Sequence, residues 1–248
     1  MFDGLLFAFT FLTVLPVGKL PLGNRLARSV DSPPGRMYSF FPLVGLVIGV
    51  IVCLTASLSF LPRDLAAFLA LAAWVGLTGG LHLDGLADSC DGLLATVTPE
   101  RRLEIMKDPR AGSWAVIGIV LVLLGKWVAL RSVAPALLLI PPVLGRWSMV
   151  LTAAAFPSAR STGLAAQFRA GLGRSQVGIA TAITLAIGIA VSLARGWPIL
   201  LLVGIAPIMI WGGGSWAAKR LGGGLTGDVY GALCELVELV CLICLSFS

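Results

Sequence analysis

Seven apolar runs of roughly bilayer length frame this chain: Ser39 to Leu61, Leu65 to Leu81, Ser113 to Leu130, Val133 to Phe156, Val177 to Ala194, Trp197 to Ala217 and Val229 to Phe247. A run of about 20 apolar residues can cross hydrocarbon as a helix, because a helix satisfies its own backbone polar groups where water is absent. The predicted fold is therefore all-α. Residues 1–248 form a single integral membrane domain, a polytopic bundle of about seven transmembrane helices. Phe2 to Val17 is apolar but short and meets Pro16, so an interfacial or re-entrant segment is expected there. It lacks the charged start and small-residue cleavage site of a removed signal peptide. Only 12% of residues are charged, which excludes an ordinary soluble domain.

Lys and Arg alternate between the loops. Four fall in Lys19 to Arg36, one at Arg63, four in Arg101 to Arg110, one at Arg131, three in Arg160 to Arg174, one at Arg195 and two at Lys219 and Arg220. By the positive-inside rule the rich loops face the cytoplasm. The net charge of +6 is thus a topology signal, and nucleic acid is not an expected partner. The five cysteines show no zinc spacing, and Cys241 and Cys244 lie deep in an apolar run where packing is expected.

Within this apolar frame, three of the chain's 12 acids fall in eight residues, Asp84, Asp88 and Asp91, beside its one histidine, His82. Helical spacing of four and three residues, at about 100° per residue, turns all three carboxylates to one side. Such repulsion is usually relieved by a bound cation, and hard Asp oxygens suit Mg2+ completed by substrate phosphate. Gly79, Gly80, Gly85 and Gly92 are expected to leave open backbone for a bulky phosphate ligand. Further along, Pro99 to Asp108 reads as a short amphipathic helix capped by Thr98.

The last run carries a second acidic stripe, since Asp228, Glu235 and Glu238 share one helix face. Lys126, Arg146, Glu235 and Glu238 lie inside apolar runs and must face the bundle interior. Glu238 is open to two roles, part of the stripe or an internal ion pair with Lys126. The turn Gly222 to Asp228, with Gly224 and Thr226, has the same glycine-then-acid form as the first stretch and can present N–H groups to a phosphate. With Arg101, Arg102, Lys107, Arg110 and Arg160 nearby in the rich loops, the pattern suits a metal-held pyrophosphate. No Walker sequence is present, so the substrate is expected to bring its own activated diphosphate.

The stretch Gly79-Gly80-Leu81-His82-Leu83-Asp84-Gly85-Leu86-Ala87-Asp88-Ser89-Cys90-Asp91-Gly92 closely resembles the signature of the cobalamin synthase family, the adenosylcobinamide-GDP ribazoletransferases. Phe9 to Pro16, Phe40 to Gly45, Ile105 to Gly112 and Gly223 to Ala232 are similar to its other motifs. Leu83, where an acid is often found, and Ser89-Cys90 depart from the pattern.

The resemblance implies a transferase of substituted phosphate groups. Adenosylcobinamide-GDP would react with alpha-ribazole or its 5'-phosphate, releasing GMP and forming adenosylcobalamin or its 5'-phosphate. It implies Mg2+ as cofactor and a place in the cell inner membrane, in contact with membrane lipid, with the site facing the cytoplasm and a homo-oligomer as an option. On it, Asp84, Asp88 and Asp91 are expected metal ligands assisted by Asp228. His82 is either the base for the ribazole hydroxyl or a partner of Asp84 or a helix end. Lys107, Asp108, Arg110, Arg160, Gly224 and Thr226 are expected at the substrate, with a solvated surface helix as the other reading for Lys107, Asp108 and Arg110. Two rivals stand beside it. A CDP-alcohol lipid phosphotransferase shares the Asp-Gly-x-Ala core of Asp84 to Ala87 but has Arg where Asp88 stands here. A transporter would explain the intramembrane charges, although no internal repeat pairs the two halves.

Overall fold

The computed structural model describes residues 2–17, 34–160, 166, 169, 171–196 and 199–247. The basic residues Lys19, Arg25 and Arg28, and Trp197, lie outside them. The described elements are helical: α1 (Phe2–Leu12), a 3-10 turn (Pro34–Phe40) running into α2 (Phe41–Ala56), α3 (Arg63–Thr78), α4 (Leu81–Leu94) and α5 (Pro99–Ile105). After α6 (Ser113–Leu130), a second 3-10 turn (Pro135–Leu139) runs into α7 (Ile140–Ala155), followed by α8 (Arg174–Arg195). The run from Leu200 to Arg220 is one helix in outline but is stepped by a π turn at Ile210–Gly214. The chain ends in α12 (Gly227–Leu245), where α9 (Ile199–Val203), α10 (Ile205–Met209) and α11 (Ser215–Arg220) are the pieces before it.

Among the described residues five helices are long and apolar enough to cross a membrane, six if α3 and α4 count as one broken span. The expectation of seven differs for two physical reasons. α3 and α4 meet at 87°, so Leu65 to Leu81 does not continue straight into the acidic stretch. α12 carries Asp228, Glu235 and Glu238, and their charge takes it out of the apolar class although much of it is buried. α1, at 11 residues, rises only about 16 Å and is too short to cross.

α12 is the axis of the bundle and packs against α4, α6 and α7. α7 is buried almost along its whole length, from Ile140 to Val150. α6 turns Val116, Ile117, Val120, Leu121, Leu124 and Val128 outward, an apolar face suited to lipid. At one end of the bundle Arg131 pairs with Asp64. At the other, the loops carrying Arg102, Arg160 and Arg220 touch one another through Leu93 and Leu103. The segments carrying Arg102, Arg160 and Arg220 therefore gather at one end, and those carrying Arg63 and Arg131 meet at the other.

Candidate active site

The site is built where α4 crosses α12. Gly79 and Gly80 hold φ of 60° and 70°, a left-handed pair that only glycine adopts readily, and they produce the sharp bend that aims α4 across the bundle. At the crossing a side chain on Gly85 would lie 2.7 Å from the Asp228 carbonyl oxygen, and one on Gly231 would lie 3.2 Å from the His82 backbone. The two backbones touch there, as small residues permit between membrane helices. This differs from the expectation of open backbone: Gly85 makes room for α12, and Gly92 for Met106.

The contact sets Asp84 and Asp88 beside Asp228. The Asp88 carboxylate feels the negative charge of Asp228, Asp84 and Asp91, relieved in part by Arg160. Asp228 stands in the first turn of α12, whose amide end favours an anion. Thr226 caps that helix, its hydroxyl accepting from the Val229 N–H. The glycine turn is pinned against the segment after α7, where the Leu225 N–H donates to Pro157 and the Ala159 N–H donates to Leu225, both at 2.9 Å. A side chain on Gly224 would strike Ser158 and Ala159. The same pinning carries Arg160 to the site, with Nη1 3.9 Å from Asp228 Oδ2, too long for a hydrogen bond.

A cavity of about 350 Å³ opens at this junction, lined by His82, Asp84, Arg160, Thr226, Asp228 and Tyr230 on its polar side. Four buried atoms around it have no hydrogen-bond partner among the described residues: His82 Nε2, Arg160 Nε, Asp228 Oδ2 and Tyr230 Oη. Buried polar groups are nearly always partnered, so a cluster of exceptions marks a place shaped for something else.

The other expected residues are placed differently. Asp91 lies about two turns beyond Asp84 and reaches α6, its carboxylate accepting from Gly112 N–H at 2.6 Å and Ala115 N–H at 2.9 Å. Its oxygens thereby cap a helix whose own cap residue, Gly112, has no side chain. Arg102 is buried and donates to the carbonyls of Gly92 and Leu93, and Arg220 adds a bond to Leu93, so two arginines close the C-terminal end of α4. Arg101 pairs with Glu104 on the exposed side of α5. Arg110 binds Asp108 through Nε and Nη2, and those bonds hold the exposed Asp108 carboxyl down at about 2. Lys107 is exposed on the same turn. Of the five cations read as one clamp, only Arg160 lines the cavity.

Glu235 and Glu238 also leave the stripe. Lys126 Nζ donates to Glu235 at 2.7 Å and to Glu238 at 2.5 Å, and it lies 4.5 Å from the Trp74 ring centre. Arg146 pairs with the other oxygen of Glu238. Two acids and two bases thus close a neutral, buried network joining α3, α6, α7 and α12, with the internal pairing of Lys126 and Glu238 realised.

The donor set at the crossing suits a small, hard divalent cation. Asp84, Asp88 and Asp228 offer carboxylate oxygens, one of them buried without a partner among the described residues. No group of three His, Cys, Asp or Glu side chains among the described residues is gathered closely enough to enclose an ion alone. That matches the habit of Mg2+, which takes one or two carboxylates and completes its shell with phosphate oxygens and water.

Four residues missed in the sequence also line the cavity: Phe11, Tyr38, Phe41 and Tyr230. Tyr38 and Phe41 rings lie 4.7 Å apart, and Phe11 stacks on Phe41 at 6.3 Å. A signal was present, since the chain has just two tyrosines and both line this cavity.

Comparison with known proteins places the chain in a family. A family described as cobalamin-5-phosphate synthase matches residues 4–246. An adenosylcobinamide-GDP ribazoletransferase from Geotalea daltonii is 39% identical over 96% of this chain and 94% of its own. Proteins of the same name from Stutzerimonas stutzeri, 40% identical over 98% of both chains, and Pseudomonas syringae pv. syringae, 41% identical over 96% of this chain and 97% of its own, are similarly close. No solved structure matches.

Proposed function

Because this chain belongs to the cobalamin-5-phosphate synthase family, we propose that its cavity joins alpha-ribazole, or its 5'-phosphate, to the corrinoid of adenosylcobinamide-GDP. The observation that carries this reading is the set of four unpartnered polar atoms around one cavity among the described residues, at the point where two acid-bearing helices cross. A ribazole hydroxyl attacks the cobinamide-side phosphorus, a new P–O bond forms, and the P–O bond to the GMP phosphate breaks. His82 Nε2 accepts the hydroxyl proton, and GMP departs with the bonding electrons. Arg160 offsets charge on the diphosphate and is held in reach by the turn pinned at Leu225. Asp84, Asp88 and Asp228 would hold Mg2+, with Asp91 orienting the array through α6. When bound, the ion neutralises phosphoryl oxygens and the leaving phosphate. Gly224 and Thr226 shape the turn beside the phosphates, while Lys107 and the Asp108–Arg110 pair serve as outer contacts for the nucleotide half of the donor.

The gathering of Arg-rich loops at the cavity end supports a site on the cytoplasmic face of the inner membrane. A transporter reading loses its main support, because the intramembrane charges pair with one another.

The test uses purified protein with adenosylcobinamide-GDP, alpha-ribazole and Mg2+, following GMP. Wild type releases it, and Asp84→Asn and Asp228→Asn do not. Undiminished release by Asp84→Asn would remove the assignment of the carboxylates.

A further inference from the structure

The cavity has two unlike walls. One carries His82, Asp84, Arg160 and Asp228. The other is aromatic, with the Phe41 ring in contact with those of Phe11 and Tyr38, Met149 also in the lining, and the Tyr230 hydroxyl buried without a hydrogen-bond partner among the described residues. Phosphate chemistry has no use for an aromatic wall. A flat ring does, because a heteroaromatic base is held by stacking on aromatic side chains. The volume, about 350 Å³, falls at the small end of ligand pockets. A base on a ribose is of the size such a pocket takes.

Resting on the transferase reading above, we propose that this cavity is the pocket of the acceptor nucleoside. The base lies against Phe11 and Tyr38, with Phe41 supporting both rings from behind, and Tyr230 Oη holds a polar atom of the base or sugar. The attacking hydroxyl is thereby turned toward His82. The corrinoid and guanosine halves of the donor then remain outside, on the rim by Asp228 and Arg160. Orientation follows from the walls: the stacked base fixes one end of the nucleoside, so the hydroxyl has a defined path to the phosphorus. Tyr230 is one helical turn or less from Asp228, so the residue that grips the acceptor and the acid that faces the donor move together with α12.

The experiment measures equilibrium binding of alpha-ribazole and, separately, of GMP to the detergent-solubilised full-length protein without donor, using intrinsic fluorescence. Tyr230→Phe deletes a hydroxyl that has no partner among the described residues, so the fold is retained. It is expected to weaken alpha-ribazole about tenfold, the order of one hydrogen bond, and to leave GMP unchanged. Phe11→Leu keeps an apolar side chain and is expected to weaken alpha-ribazole by about tenfold through lost stacking. In turnover, both variants raise KM for alpha-ribazole and leave KM for adenosylcobinamide-GDP alone. Unchanged alpha-ribazole binding in both variants, wild type that does not bind alpha-ribazole, or weakened GMP in place of alpha-ribazole would each overturn the proposal, the last by assigning the cavity to the guanosine of the donor. Failure of the transferase reading looks different: wild type binds alpha-ribazole normally yet releases no GMP.

Discussion

α12 carries two acidic regions that obey opposite rules. At its middle, Glu235 and Glu238 are buried and matched by Lys126 and Arg146 in a closed network. At its start, Asp228 faces Asp84 and Asp88 across the helix crossing, with Arg160 near but not bonded. The first region pairs all four of its charges within the protein and joins the helices that carry them, although Arg146 Nε and Nη2 have no hydrogen-bond partner among the described residues. The second is left with three carboxylates close to a single arginine, an excess of negative charge that the first region does not have. Acids on one helix face can thus do different work, and the partner they meet decides which.

The largest effect expected from breaking this contrast is on stability. Glu238→Ala strands Arg146 and half of Lys126's partners, and should destabilise by about 3–5 kcal/mol, read as thermal unfolding in detergent. Replacing Arg146 by Met and Glu238 by Leu together, leaving Lys126 with Glu235, should recover much of that loss, since apolar packing can stand in for a buried pair. If the double variant is as unstable as the single one, the network does more than neutralise itself.

The acids of the crossing should behave in the reverse way. Asp84→Asn and Asp228→Asn are expected to lower the rate of GMP release by about 10²–10³-fold. Their unfolding temperature should stay the same or rise, because repulsion among the carboxylates is relieved. A fall in stability matching that of Glu238→Ala would erase the distinction between the regions.

Asp91 lies between these extremes. Asp91→Asn weakens the remote cap of α6 and should cost about 1 kcal/mol of stability. A structural share of the activity loss would be restored at lower temperature, whereas loss of a metal ligand would not.

The smallest effect is expected at Asp108. Its carboxyl is held near 2 by Arg110, so the charge is present above the unfolded value of about 4 and is lost as pH falls toward 2. Asp108→Asn should therefore leave the shape of the pH–rate profile unchanged between about pH 5 and 8. A shifted limb in that window would place Asp108 nearer the chemistry than its pairing with Arg110 suggests.

Much of the bundle was legible in residue order alone. Apolar runs located α2, α6, α7 and α8 to within a few residues, Thr98 capped α5 as expected, and the helical spacing of Asp84, Asp88 and Asp91 gave α4. The 87° bend was not, because two glycines permit a left-handed turn without requiring it. Nor were the fates of the cations: Arg102 and Arg220 close a helix end, and Arg101 and Arg110 pair beside themselves. An arginine reads the same in sequence whether it meets a carbonyl, a carboxylate or a phosphate.

By itself, the sequence determined a helical membrane bundle, the acidic stretch with its histidine, and the family, because hydropathy, helical period and ordered motifs are properties of neighbours along the chain. The tertiary structure decided which acid meets which cation. It separated Asp228 from Glu235 and Glu238, sent Asp91 to α6, and brought Phe11, Tyr38 and Phe41 into one cavity with His82. Those outcomes depend on how closely two backbones approach, and that distance is set by Gly85 and Gly231 only once α4 and α12 are laid against each other.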